Sequence, residues 1–389
     1  MPLGSESPVT FVYALSESAF LACQGNEVLR HDVKTSATVR YGPLPGTESL
    51  SLDCVCGQET EDGVIVYCCL SDKTLRVGTF PGEGVFSPMY TRSLARRGFD
   101  MKIVTAAGET SVIVGDKSGS ISCVPHPPTA ALLAPPPKPT PAPVPTAAPE
   151  AETEGEGEGE KKKKKKKAKK VPPTKADRPE EAPVALARIC TLTHMALTPH
   201  TLCKGVCTVG AEAGLAVSDT AGLVRVSGFP HLRDVEAFLP GSTATLSGLT
   251  YDATGSVVVG TAMDHLVAWT VGETERPCVY GGIDMPAPAE GERPRQAGER
   301  EDDKGQGYRC CVCVGDTVRT CLRGEVLTLK VVRGEGAALS LEEVSRVALP
   351  AEGGVPVIRQ MVPLGGGCVM VSEAGDVMVQ EGEVVTTLK

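Results

Sequence analysis

SDKTLRVGTF, residues 71–80, opens on a polar turn and runs into a short strand in which Leu75 and Val77 look one way and Arg76 the other. The same arrangement recurs six times: GNEVLRHDV (25–33), DKSGSISCV (116–124), SDTAGLVRVSGF (218–229), AMDHLVAWTV (262–271), RGEVLTLKVV (323–332) and EAGDVMVQ (373–380). Measured between the first inward-looking apolar residues, Val28, Leu75, Ile121, Val224, Leu266, Val326 and Val377, the steps are 47, 46, 103, 42, 60 and 51 residues. A period in the forties is that of a β-propeller blade. The step of 103 exceeds a blade by about 58 residues, and the stretch from His126 to Ala182 that fills it is almost pure low complexity. The reading is an all-β chain: a seven-bladed propeller with a disordered low-complexity insertion. Residues 1–125 supply blades one to three, 126–182 the Pro/Glu/Lys-rich insertion, and 183–389 the rest of the propeller.

Composition agrees. The 43 Gly and 31 Pro supply turns, 41% apolar residues suffice for a core, and no segment carries a sustained helical period. Aromatic residues are only 4% and Trp269 is the single tryptophan, so the blades are expected to pack through Val, Leu, Ala and Cys. MPLGSESPVT at the start has neither a basic leader nor an apolar core, and no run of about 18 apolar residues occurs. The expectation is a chain neither secreted nor membrane-spanning, whose 15 cysteines are reduced.

Cys54 and Cys56, Cys68 and Cys69, and Cys310, Cys311 and Cys313 lie close enough in sequence to raise a metal site. In a strand, however, CxC points both thiols to one face and CC points them to opposite faces, whereas a zinc knuckle needs a turn. Strand packing is the expectation, with no metal and no cofactor. No nucleophile elbow, HExxH, P-loop or Gly-rich strand-to-helix turn appears. The histidines His31, His126, His194, His200, His231 and His265 show no ligand spacing. The chain is therefore read as non-catalytic, without a small-molecule substrate, any chemistry belonging to another chain.

The insertion begins with PPPKPTPAPVPTAAP (135–149), which favours extended structure, alternates Glu and Gly, and then reads KKKKKKKAKK (161–170). Its lysines, among them Lys161, Lys163, Lys165, Lys167, Lys169 and Lys170, read as a nuclear-import signal, as an electrostatic arm for RNA, or as a solvated polyampholyte. Nuclear location is the expectation. A formal net charge of −9 argues against the whole propeller acting as a nucleic-acid clamp.

A more specific likeness spans about 150 residues. SLARRGFDMKIVTAAGETSVIVGDKSGSISC (93–123), LTHMALTPH (192–200) and VSDTAGLVRVSGFPHLRDVEAFLPGSTATLSGL (217–249) keep, in order, ARR, DKSG, an RVS strand, Phe-Pro and an FLxG turn. This series resembles the WD-repeat non-catalytic subunit of tRNA (guanine-N7) methyltransferase. The resemblance implies a propeller that pairs, as a heterodimer, with a Rossmann-type S-adenosylmethionine-dependent subunit and supports N7 methylation of guanine in the tRNA variable loop, tRNA being met through the complex. By the same resemblance Lys117 and Arg225 stand where basic residues of the family meet acidic side chains of the catalytic subunit, with Arg96, Arg97 and Asp219 in the adjoining motifs. The chain departs from the family where DRDEK has become Asp219, Thr220, Ala221, Gly222 and Leu223, where LGH has become Pro240, Gly241 and Ser242, and where an Asp has become His194. The alternative is a propeller scaffold in another complex.

Overall fold

The computed structural model describes residues 7–81, 85–94, 96–106, 109–116, 121–126, 205–209, 214–218, 224–228, 235–239, 248–251, 257–262, 264–270, 278–281, 307–334, 339–350 and 354–388. Between 205 and 239 the description is of the backbone alone. Among the described residues every regular element is a strand, and the strands form seven antiparallel sheets in simple chain order.

The first sheet holds β1 (Val9–Ala14), β2 (Ala19–Gln24), β3 (Glu27–Asp32) and β4 (Ala37–Tyr41); the second holds β5 (Leu52–Thr60), β6 (Gly63–Leu70), β7 (Thr74–Phe80) and β8 (Ser87–Ser93). The third has three described strands, β9 (Gly98–Ala106), β10 (Glu109–Asp116) and β11 (Ile121–Pro125). The fourth comprises β12 (Gly205–Val209), β13 (Gly214–Ser218), β14 (Val224–Gly228) and β15 (Val235–Leu239). The fifth comprises β16 (Gly248–Tyr251), β17 (Val257–Thr261), β18 (Leu266–Thr270) and β19 (Cys278–Tyr280). The sixth has β20 (Cys311–Val314), β21 (Thr317–Leu322), β22 (Glu325–Arg333) and β23 (Leu339–Ala348), and the seventh β24 (Ile358–Leu364), β25 (Gly367–Ser372), β26 (Val377–Glu381) and β27 (Val384–Leu388).

The first strand of each sheet touches the first strand of the next, β1 to β5, β9, β12, β16, β20 and β24 in turn, and β24 returns to β1. The sheets thus close on themselves around an axis lined by their first strands, the arrangement of a β-propeller. Each of the seven recurrent turns leads into the third strand of a sheet, so the residues that set the period sit at equivalent places. Val28, Leu75, Leu266, Val326 and Val377 are all buried there.

The ring closes without exchanging a strand between chain ends among the described residues. Val9, Val12, Phe20, Ala22 and Leu29 of the first sheet pack with Leu364, Val369, Val371, Val377 and Val379 of the seventh. Gln360 on β24 adds a reciprocal pair of hydrogen bonds to β1: its Oε1 accepts from the Val12 N–H at 3.0 Å and its Nε2 donates to the Val12 carbonyl at 2.9 Å. The Arg359 guanidinium donates to the Val9 carbonyl beside it. These side-chain bonds join the first strands of two sheets that are each already complete in chain order.

Both faces of a blade are covered by neighbours, which explains the cysteines. Cys54, Cys56, Cys68 and Cys69 all belong to one large cluster that reaches residues of the first and third sheets on either side of the second, so adjacent Cys68 and Cys69 share it, whereas adjacent Cys310 and Cys311 fall in different clusters. Cys313 packs on the same cluster as Cys311. Burial pushes the thiols of Cys23, Cys56 and Cys68 well up from their ordinary value; for Cys54 hydrogen bonding to Cys69 does so ahead of burial. They remain protonated and serve as small apolar residues. Trp269, in the third strand of the fifth sheet, is fully buried.

His126 corrects one boundary. The sequence reading starts the unpacked excursion at this residue, whereas in the fold it is 6% exposed and sits against Tyr67 and Gln58 of the second sheet. The Gln58 side-chain Oε1 accepts from its Nε2–H, and its Nδ1 accepts from the Tyr67 hydroxyl at 2.7 Å. The physical reason is that a ring with two matched partners at the end of β11 loses nothing by leaving water. Residues 127–182 of the expected insertion, with every lysine named above, lie outside the described residues.

Candidate interaction face

In an up-and-down blade the turn between the second and third strands lies at the same end as the loop that leads to the next blade. Turns 71–73 and 323–324, loop 42–51, and the described parts of the loops after the second and sixth sheets (94 and 96–97; 349–350 and 354–357) therefore share one end of the ring, and the strands flanking Lys117 and Asp219, β10 with β11 and β13 with β14, also end there. Lys117 and Asp219 themselves lie outside the described residues. Arg225 is placed on β14, its backbone opposite Val217 on one side and Phe238 on the other. The opposite end carries exposed carboxylates at Glu17, Glu61, Asp62, Asp316, Glu381 and Glu383.

The best-described part of the face is the junction of the second and third sheets. A bulge between Leu52 and Cys54 lifts Asp53 out of the β5 ladder. Arg97, in the loop entering β9, meets it with both arms of its fork: Nε donates to Oδ2 at 2.9 Å and Nη2 donates to Oδ1. The Asp53 side chain is 10% exposed and that of Arg97 40%. Arg97 is thus committed within the chain, while its neighbour Arg96 is exposed. Gly98 follows because nothing larger fits: a Cβ there would lie 2.8 Å from the Cys69 sulfur.

The adjoining turn of the second sheet is held from three sides. Ser71 exchanges bonds with Ser51, its N–H donating to the Ser51 carbonyl at 3.0 Å and its Oγ accepting from the Ser51 N–H at 3.2 Å. Asp72 Oδ1 accepts from both the N–H and the hydroxyl of Thr74. The Lys73 carbonyl accepts from Leu94 N–H at 2.7 Å, tying the turn to the loop that carries Arg96 and Arg97. Sequence reading singled out neither Asp53 nor Lys73. The recurrence of Asp-Lys at 72–73 and 116–117 was the available signal for the latter.

Elsewhere the central axis encloses a cavity of about 620 Å³ lined by β1, β9, β16, β20 and β24. Its polar groups mostly brace the inner strands: Thr250 Oγ1 accepts from the Cys313 N–H, Asp100 Oδ1 from the Met101 N–H, and Gln360 and Arg359 bond to β1. Burial raises the phenol of Tyr13 beside them. Among the described residues no group of three His, Cys, Asp or Glu side chains is gathered as a metal site would need.

No family model matches the chain, and no curated protein matches it. Solved structures do resemble it. The chain is similar to the WD40 repeats of RRP9, with a TM-score of 0.58 at 12% identity over 95% of this chain and 88% of that one. It is similar in the same degree to U3-55K, with a TM-score of 0.58 at 12% identity over 95% and 89% of the two chains. A chain of a mitotic checkpoint complex gives 0.59 at 8% identity over 95% and 89%. The chain has the WD40 propeller fold.

Proposed function

We propose that this propeller is the non-catalytic subunit that binds and stabilises the catalytic subunit of tRNA (guanine-N7) methyltransferase. The observation that carries the reading is the ordered ARR, DKSG and RVS series, whose strands belong to neighbouring sheets ending on one face, with Arg96 exposed there. Charge supports it. Lys117, Arg225 and Arg96 suit a partner offering carboxylates, and an arginine is matched to a planar carboxylate pair. The partner carries the S-adenosylmethionine site and the chemistry; this chain holds it in an active geometry, in the nucleus, where the lysine run of the low-complexity segment brings it. Affinity capture from the source cells tests the reading by asking whether a Rossmann-type methyltransferase co-purifies. The competing reading, a WD40 scaffold for another complex, draws on the likeness to RRP9 and U3-55K at the level of fold.

A further inference from the structure

The turns between second and third strands share a hydrogen bond that exposes an anomaly. In the first, second and sixth sheets a residue of left-handed conformation offers its carbonyl to a leucine N–H in the connection to the next blade, at the start of its first strand or in the loop before it: Gly25 to Leu52 at 2.9 Å, Lys73 to Leu94 at 2.7 Å and Gly324 to Leu349 at 2.7 Å. Their φ values are 62°, 69° and 78°. The seventh sheet also places a glycine, Gly375 (φ 91°), in its turn. Glycine adopts this conformation without strain and a side-chain-bearing residue does not. In the second sheet the residue that offers this carbonyl is a lysine whose side chain is exposed; the sixth sheet keeps glycine at that place, with left-handed Arg323 (φ 52°) just before it. Strain kept at an exposed position is a reason to look for work done by the side chain.

We infer that Lys73 and Arg96 form a preset cationic rim that grips an acidic protein segment, with Arg97 as the positioning residue that fixes the rim through Asp53. This rests on the reading given under Proposed function and adds the second sheet to its interface. The turn and the loop are joined by the Lys73 carbonyl bond to Leu94, two residues before Arg96. Asp53 is already neutralised by Arg97, whereas Asp72 keeps its charge, its Oδ1 accepting only from the neutral N–H and hydroxyl of Thr74, so the rim sets two outward cations against one exposed carboxylate. A protein carboxylate surface fits better than RNA. The described rim has two outward cations and the exposed carboxylate of Asp72, where nucleic-acid binding draws on many phosphate contacts.

The test uses the full chain. Lys73→Gly relieves the strained position and should leave Tm within about 3 °C of the unaltered protein, gain in backbone comfort offsetting the added freedom of the unfolded chain. The methyltransferase subunit captured by the unaltered chain is titrated onto each variant. Lys73→Gly and Arg96→Glu should bind it roughly tenfold and fiftyfold more weakly. Lys73→Arg should bind within about twofold, and Arg323→Gly, which relieves a similar turn in the sixth sheet (φ 52°), should bind like the parent. Equal binding by all variants overturns the rim while leaving the methyltransferase reading intact. If the unaltered chain captures no methyltransferase, that reading fails and the rim is judged alone, with labelled poly-L-glutamate at about 50 mM salt. Binding lost in Lys73→Gly and Arg96→Glu but kept in Arg323→Gly supports it; no binding, or equal binding, overturns it. Labelled tRNA that follows the same variants while poly-L-glutamate does not would make the rim a nucleic-acid site and overturn the inference.

Discussion

Arg97 is the residue at which sequence resemblance and geometry assign different work, and a double-mutant cycle separates them. Truncating Arg97 to Ala leaves the Asp53 carboxylate, only 10% exposed, without its bidentate donor. An unpaired buried acceptor costs about 1–3 kcal/mol. The 40% exposure of the arginine lets water and salt share the load, so the lower half of that range, about 1–2 kcal/mol, is expected. Asp53→Ala frees a guanidinium that can swing into solvent and should cost less, about 0.5–1 kcal/mol. Once either partner is gone the other has little left to lose, which places the coupling energy near 1 kcal/mol. Urea unfolding of the four proteins at equal salt measures it, and the coupling should shrink as salt is raised because the pair is partly wet. As a strut, the pair also predicts that Asp53→Ala weakens partner binding as much as Arg97→Ala, the double variant being no worse than either. Coupling below about 0.3 kcal/mol, or a binding loss confined to Arg97→Ala, would make Arg97 a direct partner contact instead.

Three other outcomes are expected. Gln360→Ala strips the Val12 N–H and carbonyl of their partners at the ring closure; access to channel water holds the cost to about 1–2 kcal/mol, a fall in Tm of about 2–6 °C, and an unchanged melting curve would refute the closure role. Burial lowers the pKa of His31 and His126. Both are therefore neutral in the fold and take up protons more readily once unfolded, so stability should be level above about pH 6.5 and decline as pH falls below it. A His31→Gln, His126→Gln double variant should flatten that decline, and an unaltered slope on pH titration of denaturant midpoints would contradict it. Arg225→Glu should weaken the methyltransferase complex about 30-fold or more by setting like charges together; undiminished co-purification and tRNA methylation would remove Arg225 from the interface.

The architecture was legible because each third strand keeps alternation behind a polar turn, and Val28, Leu75, Leu266, Val326 and Val377 carry the period into the buried core. The cysteine reading followed from the two-residue repeat of a strand, and Cys310 and Cys311 divide between clusters accordingly. What the sequence did not reveal depends on partners distant in the chain. Gln360 and Val12 are 348 positions apart, His126 and Gln58 are 68, and Arg97 and Asp53 are 44. No local pattern announces such pairs. The left-handed state of Lys73 was hidden for another reason: its composition is that of any polar turn, and only comparison with Gly25 and Gly324 in the folded ring marks it as unusual.

The most direct test of the central claim is reconstitution. The purified chain is mixed with the Rossmann-type methyltransferase from the same cells, and N7-methylguanosine in the variable loop of tRNA is measured with each protein alone and with both. The account predicts a stoichiometric complex, no methylation by this chain alone, and methylation by the pair well above that of the catalytic subunit alone. Absence of a complex, or a catalytic subunit equally active without this chain, would contradict it.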